Sequence, residues 1–245
     1  ARLKFKTKRT QMIAQQLYEG IDVGDEHMGL ITYMRTDSTR LSPTFTERSI
    51  AYIKDVYGKE YLGKVKTGKG AALAQDAHEA IRPTSNHRTP ESVREHLTTE
   101  QYNLYKLIYN RTIASLMAAK KEEVMTVTLQ GGEYLFKFEL VHTLFKGYEA
   151  VYAEQDDAKD FTGSFPELNI GDEIELLEKK TEQKFTQPPA HYSEAKIVKL
   201  MEEVGIGRPS TYASTIETLR ARKYVNNQGG ILTITEQGKK TAHVL

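Results

Sequence analysis

Gly29-Leu30-Ile31-Thr32-Tyr33-Met34-Arg35-Thr36-Asp37-Ser38 is the densest polar constellation of the chain. Residues 29–35 read as a strand, on which alternate side chains share a face. Tyr33, Arg35 and, at the strand end, Asp37 are therefore expected on one side. That grouping suits phosphoryl transfer. A tyrosine hydroxyl has a pKa of about 10, so forming a phenolate at neutral pH costs roughly 4 kcal/mol unless positive charge offsets it. The planar fork of Arg35 can supply that charge and hold non-bridging phosphate oxygens. A bland alternative stands beside it: Tyr33 covers the core and Arg35 and Asp37 form a surface pair. Spacing alone does not choose.

Toward the amino terminus, residues 10–19 have helical spacing at Met12, Ile13, Gln16 and Leu17, with Gly20 as a stop. Lys4, Lys6, Lys8 and Arg9 lead into that helix. The chain starts at Ala1, without methionine, as expected of a piece of something longer. Toward the carboxyl terminus, Ser42-Pro43 opens a second helix, with a capping-box pattern at Thr44 and Glu47. Residues 64–74 read as a loop. A short helix is expected over 76–81, cut off by Pro83, and a long one from Thr99 to about residue 119.

From Val124 the period becomes alternating, with Gly131-Gly132 as a turn, and β structure is expected again over 147–151 and 173–185. A polar acidic loop spans 156–160, and Pro188-Pro189 marks a boundary. Helices follow from Ser193 to Val204 and over 211–222. The helix ending near Arg222 precedes a short strand at 230–234, much as the helix at 10–19 precedes 29–33. Both look like the second helix and wing of a winged-helix unit, which commonly sets a helix against DNA.

Two further clusters carry chemistry. On the expected helix before Pro83, His78 and Arg82 stand one turn apart and could grip a phosphate, with histidine relaying a proton. A helix-end histidine beside a solvated arginine is the plainer alternative. In Gly205-Ile206-Gly207-Arg208-Pro209-Ser210-Thr211-Tyr212, glycines admit a ligand to the backbone, Ser210 or Thr211 caps a helix whose amino end favours phosphate, and Tyr212 could stack on a base. A well-capped turn between helices explains the same residues.

Bulk properties bound these ideas. With 245 residues, 39% of them hydrophobic, the chain can bury a sizeable core. No stretch approaches the roughly 18 apolar residues of a membrane span, and a cytoplasmic location is the default expectation. The absence of cysteine excludes disulfides and thiolate sites within the chain. A net charge of +1 argues against a uniformly basic binder, yet residues 154–178 hold nine acidic side chains and one lysine between basic ends. Lys196, Lys199, Arg208, Arg220, Arg222 and Lys223 make up the second basic lobe.

Together and in this order, the tyrosine segment 29–38, the histidine motif 77–83 and the stretch 188–212 resemble the signature segments of the type IA DNA topoisomerases, most closely the bacterial topoisomerase I branch. The resemblance implies a multidomain α+β fold: a winged-helix-like tyrosine domain over 1–119, a β-rich arch over 120–187, and a second winged-helix-like DNA-binding domain over 188–245. It implies an ATP-independent isomerase that relaxes negative supercoils through a 5′-phosphotyrosine link. Tyr33 would be the nucleophile, with Arg35 and His78 stabilising the scissile phosphate. Asp37, Arg82, Ser193, Glu194, Arg208, Ser210 and Tyr212 would support the site or touch single-stranded DNA.

The sequence departs from the family in two ways. His191 stands where many relatives carry arginine. The metal-binding Toprim domain, which holds Mg²⁺ in such enzymes, has no counterpart; Asp156, Asp157 and Asp160 read as solvated, and no metal site is expected within the chain. The chain alone is then expected to bind single-stranded DNA without relaxing supercoils. Rival expectations are a non-catalytic winged-helix module, which would grip duplex DNA, and a tyrosine recombinase or type IB enzyme, which attaches to a 3′ phosphate.

Overall fold

The computed structural model describes residues 2–64, 78–152, 161 and 163–245. It is a mixed α and β molecule with six α-helices and three two-stranded antiparallel sheets among those residues. The expected loop at 64–74 and the acidic loop at 156–160 lie almost wholly or wholly outside them.

Helix α1, Thr7–Glu19, buries Ile13, Ala14 and Leu17. Burying side chains such as Ile13 and Leu17 stabilises by about 1.5–3 kcal/mol each. Met12, expected in that stripe, is instead 42% exposed. Strands β1, Ile21–Val23, and β2, Glu26–Met28, form a hairpin that the sequence did not announce. Helix α2, Pro43–Val56, starts with proline in its first turn. Its cap is Ser42, whose hydroxyl accepts from the Phe45 N–H, rather than Thr44 with Glu47. Helix α3, Thr99–Ser115, opens on a reciprocal capping box between Thr98 and Gln101.

Helices α1, α2 and α3 and the segment 29–31 enclose one core that includes Ile13, Leu17, Leu30, Ile31, Ile53, Tyr105 and Ile113. The buried Tyr105 and Tyr109 hydroxyls donate to the carbonyls of Arg88 and Asn86. Loss of solvent pushes both phenols well above their usual range.

Strands β3, Lys121–Gly131, and β4, Tyr134–Phe145, pair along their length. The turn between them is Gly132-Glu133, with Gly132 at φ 63° where a side chain would be strained. The other β expectations fail. Residues 147–152 form a 3₁₀ turn, anchored by the Tyr148 N–H donating to the Ala118 carbonyl. Residues 173–185 form no strand among the described residues, and Leu176, Leu177 and Phe185 are exposed there. Alternating hydrophobicity marks a half-buried strand only where a partner lies alongside.

At the carboxyl end, α4, Glu194–Glu203, and α5, Tyr212–Ala221, precede the hairpin β5, Val225–Gln228, and β6, Ile231–Ile234, and then α6, Glu236–Val244. Ser193 caps α4 by accepting from the Lys196 N–H and forms a bridge with Ile231. This unit docks on α1. The buried Glu194 carboxylate accepts from the Thr7 N–H (2.9 Å) and hydroxyl (3.0 Å) through Oε2, and from Asn227 Nδ2 (2.6 Å) through Oε1. Gln11 Nε2 adds a bond to the Pro209 carbonyl.

Candidate active site

The tyrosine segment is not a strand. Leu30 donates to the Leu17 carbonyl at the end of α1, and Ile31 forms one antiparallel bridge with Pro83. The flanking bonds run from the Thr32 N–H to the Arg82 carbonyl and from the Thr84 N–H to the Leu30 carbonyl, both 3.0 Å. Pro83 occupies the position where no N–H is needed, so its ring costs nothing. Pairing stops one residue later because the Thr32 hydroxyl takes over: it donates to the Ala80 carbonyl at 2.7 Å and accepts from the Arg82 N–H at 2.9 Å. The chain then leaves the core through bends at Met34 and Arg35, so strand alternation does not place Tyr33, Arg35 and Asp37.

The same bonds explain why the described part of the expected helix, residues 78–81, is not helical. Ala80 donates to the Arg40 carbonyl, and the carbonyls of Ala80 and Arg82 face Thr32 rather than a helical turn. Asp76 and Ala77 lie outside the described residues.

This crossing brings Tyr33 and His78 together across 45 positions of sequence, their rings stacked with centroids 5.7 Å apart and planes 25° off parallel. Tyr18, near the end of α1, meets Tyr33 edge-on at 5.3 Å. Tyr33 stays 36% exposed, held at the surface by two rings. Tyr18 and Thr32 are site residues that the motifs did not single out, since their roles come from a long-range crossing.

Arg82 is placed as a support. Its Nε donates to Glu79 Oε2 at 2.7 Å, and its guanidinium lies 4.2 Å from the Phe45 ring centroid. Burial would raise the Glu79 carboxyl, but the hydrogen bond and charge of Arg82, with the Ser42 N–H and Arg40, hold it below the usual range. Arg35 is exposed and without an ion pair among the described residues, beside a cleft along α1.

The third cluster lies close by. Burial and Glu202 push the Tyr212 phenol up; Arg208 opposes this, and Asp37 adds to it, which puts Asp37 within electrostatic reach of Tyr212. Arg208 is exposed, with one nitrogen on the Gly207 carbonyl. The expected cap of α5 is absent: the Thr211 hydroxyl folds back onto the Arg208 backbone, and exposed Ser210 makes no cap bond. Ser193 and Glu194 are engaged as cap and clasp. His191 is exposed.

Among the described residues no three His, Asp or Glu side chains gather closely enough to hold a metal ion. No helix among them is long and apolar enough to cross a membrane.

A family model described as DNA topoisomerase matches residues 1–245. The solved structure of full-length topoisomerase I from Thermotoga maritima superposes with a TM-score of 0.81 at 38% identity, over 100% of this chain and 39% of that one. The chain therefore spans well under half of that relative. It belongs to the type IA DNA topoisomerases, in the branch of bacterial topoisomerase I.

Proposed function

We propose that this chain is the strand-cutting and strand-holding portion of a topoisomerase that breaks and reseals one DNA strand to relax negative supercoils. The stacking of exposed Tyr33 on His78 supports it most directly, because it sets a nucleophile beside a group able to donate to a phosphate. The Tyr33 oxygen loses its proton and attacks the phosphorus; the bond to the 3′ oxygen breaks, and that oxygen leaves as a hydroxyl once protonated. Resealing runs the steps backwards. Arg35 and His78 offset charge building on the non-bridging oxygens. Arg82 and Glu79 keep the crossing in place, and Asp37, Arg208, Ser210 and Tyr212 border the strand's path.

In this proposal, residues 1–119 form the tyrosine domain, 120–187 part of an arch, and 188–245 a second DNA-binding unit whose α4, α5 and β5–β6 hairpin follow a winged-helix order. Mg²⁺ belongs to a Toprim domain elsewhere in the cytoplasmic polypeptide, so the chain alone binds single strands without relaxing supercoils. A titration at fixed salt against matched single-stranded and duplex oligonucleotides tests it. Tighter binding of the single strand is expected; preference for duplex points instead to a non-catalytic winged-helix module.

A further inference from the structure

Tyr18 stands one residue before the end of α1 and meets the Tyr33 ring edge-on. It is 40% exposed and outside the buried core, and its hydroxyl has no hydrogen-bond partner among the described residues. We propose that Tyr18 is a positioning residue: its ring holds the Tyr33 ring in one orientation, and so sets the rate of strand cutting without adding to DNA affinity. The inference rests on the function proposed above and adds a residue to it.

Tyr33 needs such a partner because the backbone does little to fix it. Bridging to Pro83 ends at Ile31, and the chain bends at Met34 and Arg35. A ring 36% exposed ordinarily exchanges rotamers in picoseconds to nanoseconds, whereas attack on phosphorus requires the oxygen to be held in line and close. Stacking on His78, with the planes 25° off parallel, fixes how far apart the two rings lie but lets them slide past one another. The Tyr18 ring, at 67° to Tyr33 and 5.3 Å away, blocks that slide.

Tyr18 is also the better anchored of the two partners. It follows Leu17, which is fully buried and whose carbonyl accepts from the Leu30 N–H at 2.7 Å. Gly29 lies against the Tyr18 carbonyl, where a Cβ would come within 2.6 Å of the oxygen. The end of α1 and the tyrosine segment are therefore in backbone contact only a few residues before Tyr33. His78, in contrast, is carried by a segment with neither helix nor strand, tied to Arg40 by a 3.4 Å bond at its carbonyl. Tyr18 serves as the fixed wall, and the imidazole remains available to a phosphate. A ring that merely covered the core would be buried in it, and this one is not.

The test uses the whole polypeptide that carries this chain, with Mg²⁺ and end-labelled single-stranded DNA at saturation. Single-turnover cleavage should slow about threefold to tenfold in Tyr18→Leu, the worth of one aromatic pair, while the dissociation constant for the DNA stays unchanged. Tyr18→Phe keeps the ring and drops the hydroxyl, and should restore the rate. In NMR spectra of the chain itself, Tyr18→Leu should move the Tyr33 ring signals, assigned through Tyr33→Phe, toward those of an unstructured tyrosine, and leave the methyl signals of buried Ile53 and Ile113 in place. Four results overturn the positioning role: native cleavage by Tyr18→Leu, a loss in Tyr18→Phe as large as in Tyr18→Leu, a loss expressed as weaker binding, or shift changes that spread to Ile53 and Ile113. Absence of any adduct with the native polypeptide overturns the function proposed above as well.

Discussion

Arg82 shows how much of a site is support. Its motif marks it as a phosphate ligand, yet it is bonded to Glu79 and stacked on Phe45. Glu79→Ala should destabilise the chain by about 2 kcal/mol, the scale of a hydrogen bond between charged groups, read by urea unfolding at pH 7. Because the Glu79 carboxyl is held below its ordinary 4.5 in the folded state, this stability is present above about that pH and fades as the pH falls through the folded value. The difference between native chain and variant should shrink by pH 4; a constant difference refutes the ion pair as its source. The reading of Tyr33 as a nucleophile rests on the order of three motifs, since a tyrosine two residues from an arginine is common. Tyr18 and Thr32 were not legible, because nothing local records which residues a later segment will meet.

At the scale of elements, helices were legible where they carry their own signals. Ser42-Pro43 begins α2 and Ser193 caps α4, as expected from local chemistry. Misreadings fall where backbone groups bond across the chain, as in 29–35 and 78–81, or where a strand-like pattern has no neighbour, as in 173–185. Gly29 joins these two kinds of element. A Cβ there would sit 2.6 Å from the Tyr18 carbonyl oxygen, a backbone atom unable to move without α1. Gly29→Ala should therefore push the tyrosine segment away from α1, lowering stability by about 1–3 kcal/mol as overpacking does. The ring-current shifts that Tyr18 and Tyr33 impose on each other's ring protons in NMR spectra report that separation. Unchanged ring shifts and an unchanged unfolding midpoint contradict the close approach.

For the whole molecule, Glu194 ties the start of α1 to α4 and to β5 through three hydrogen bonds. Its sequence context suggests a DNA contact, and only the fold reveals the clasp. Glu194→Ala leaves Thr7 and Asn227 without a shared acceptor, at a cost of about 1–3 kcal/mol, and should loosen the carboxyl-terminal unit from the tyrosine unit. The chain has no cysteine, so Asp25→Cys and Lys240→Cys accept dyes cleanly. Energy transfer between them should show a broader distance distribution in the variant, and an unchanged distribution contradicts the clasp.

The central claim is that Tyr33 joins DNA through a 5′ phosphate. Its most direct measurement supplies the proposed Toprim domain in trans with Mg²⁺, adds end-labelled single-stranded DNA, and traps covalent adducts by denaturation. The native chain should carry the label through a 5′-phosphotyrosine at Tyr33, and Tyr33→Phe should carry none; an adduct that survives Tyr33→Phe, or one joined through a 3′ phosphate, contradicts it.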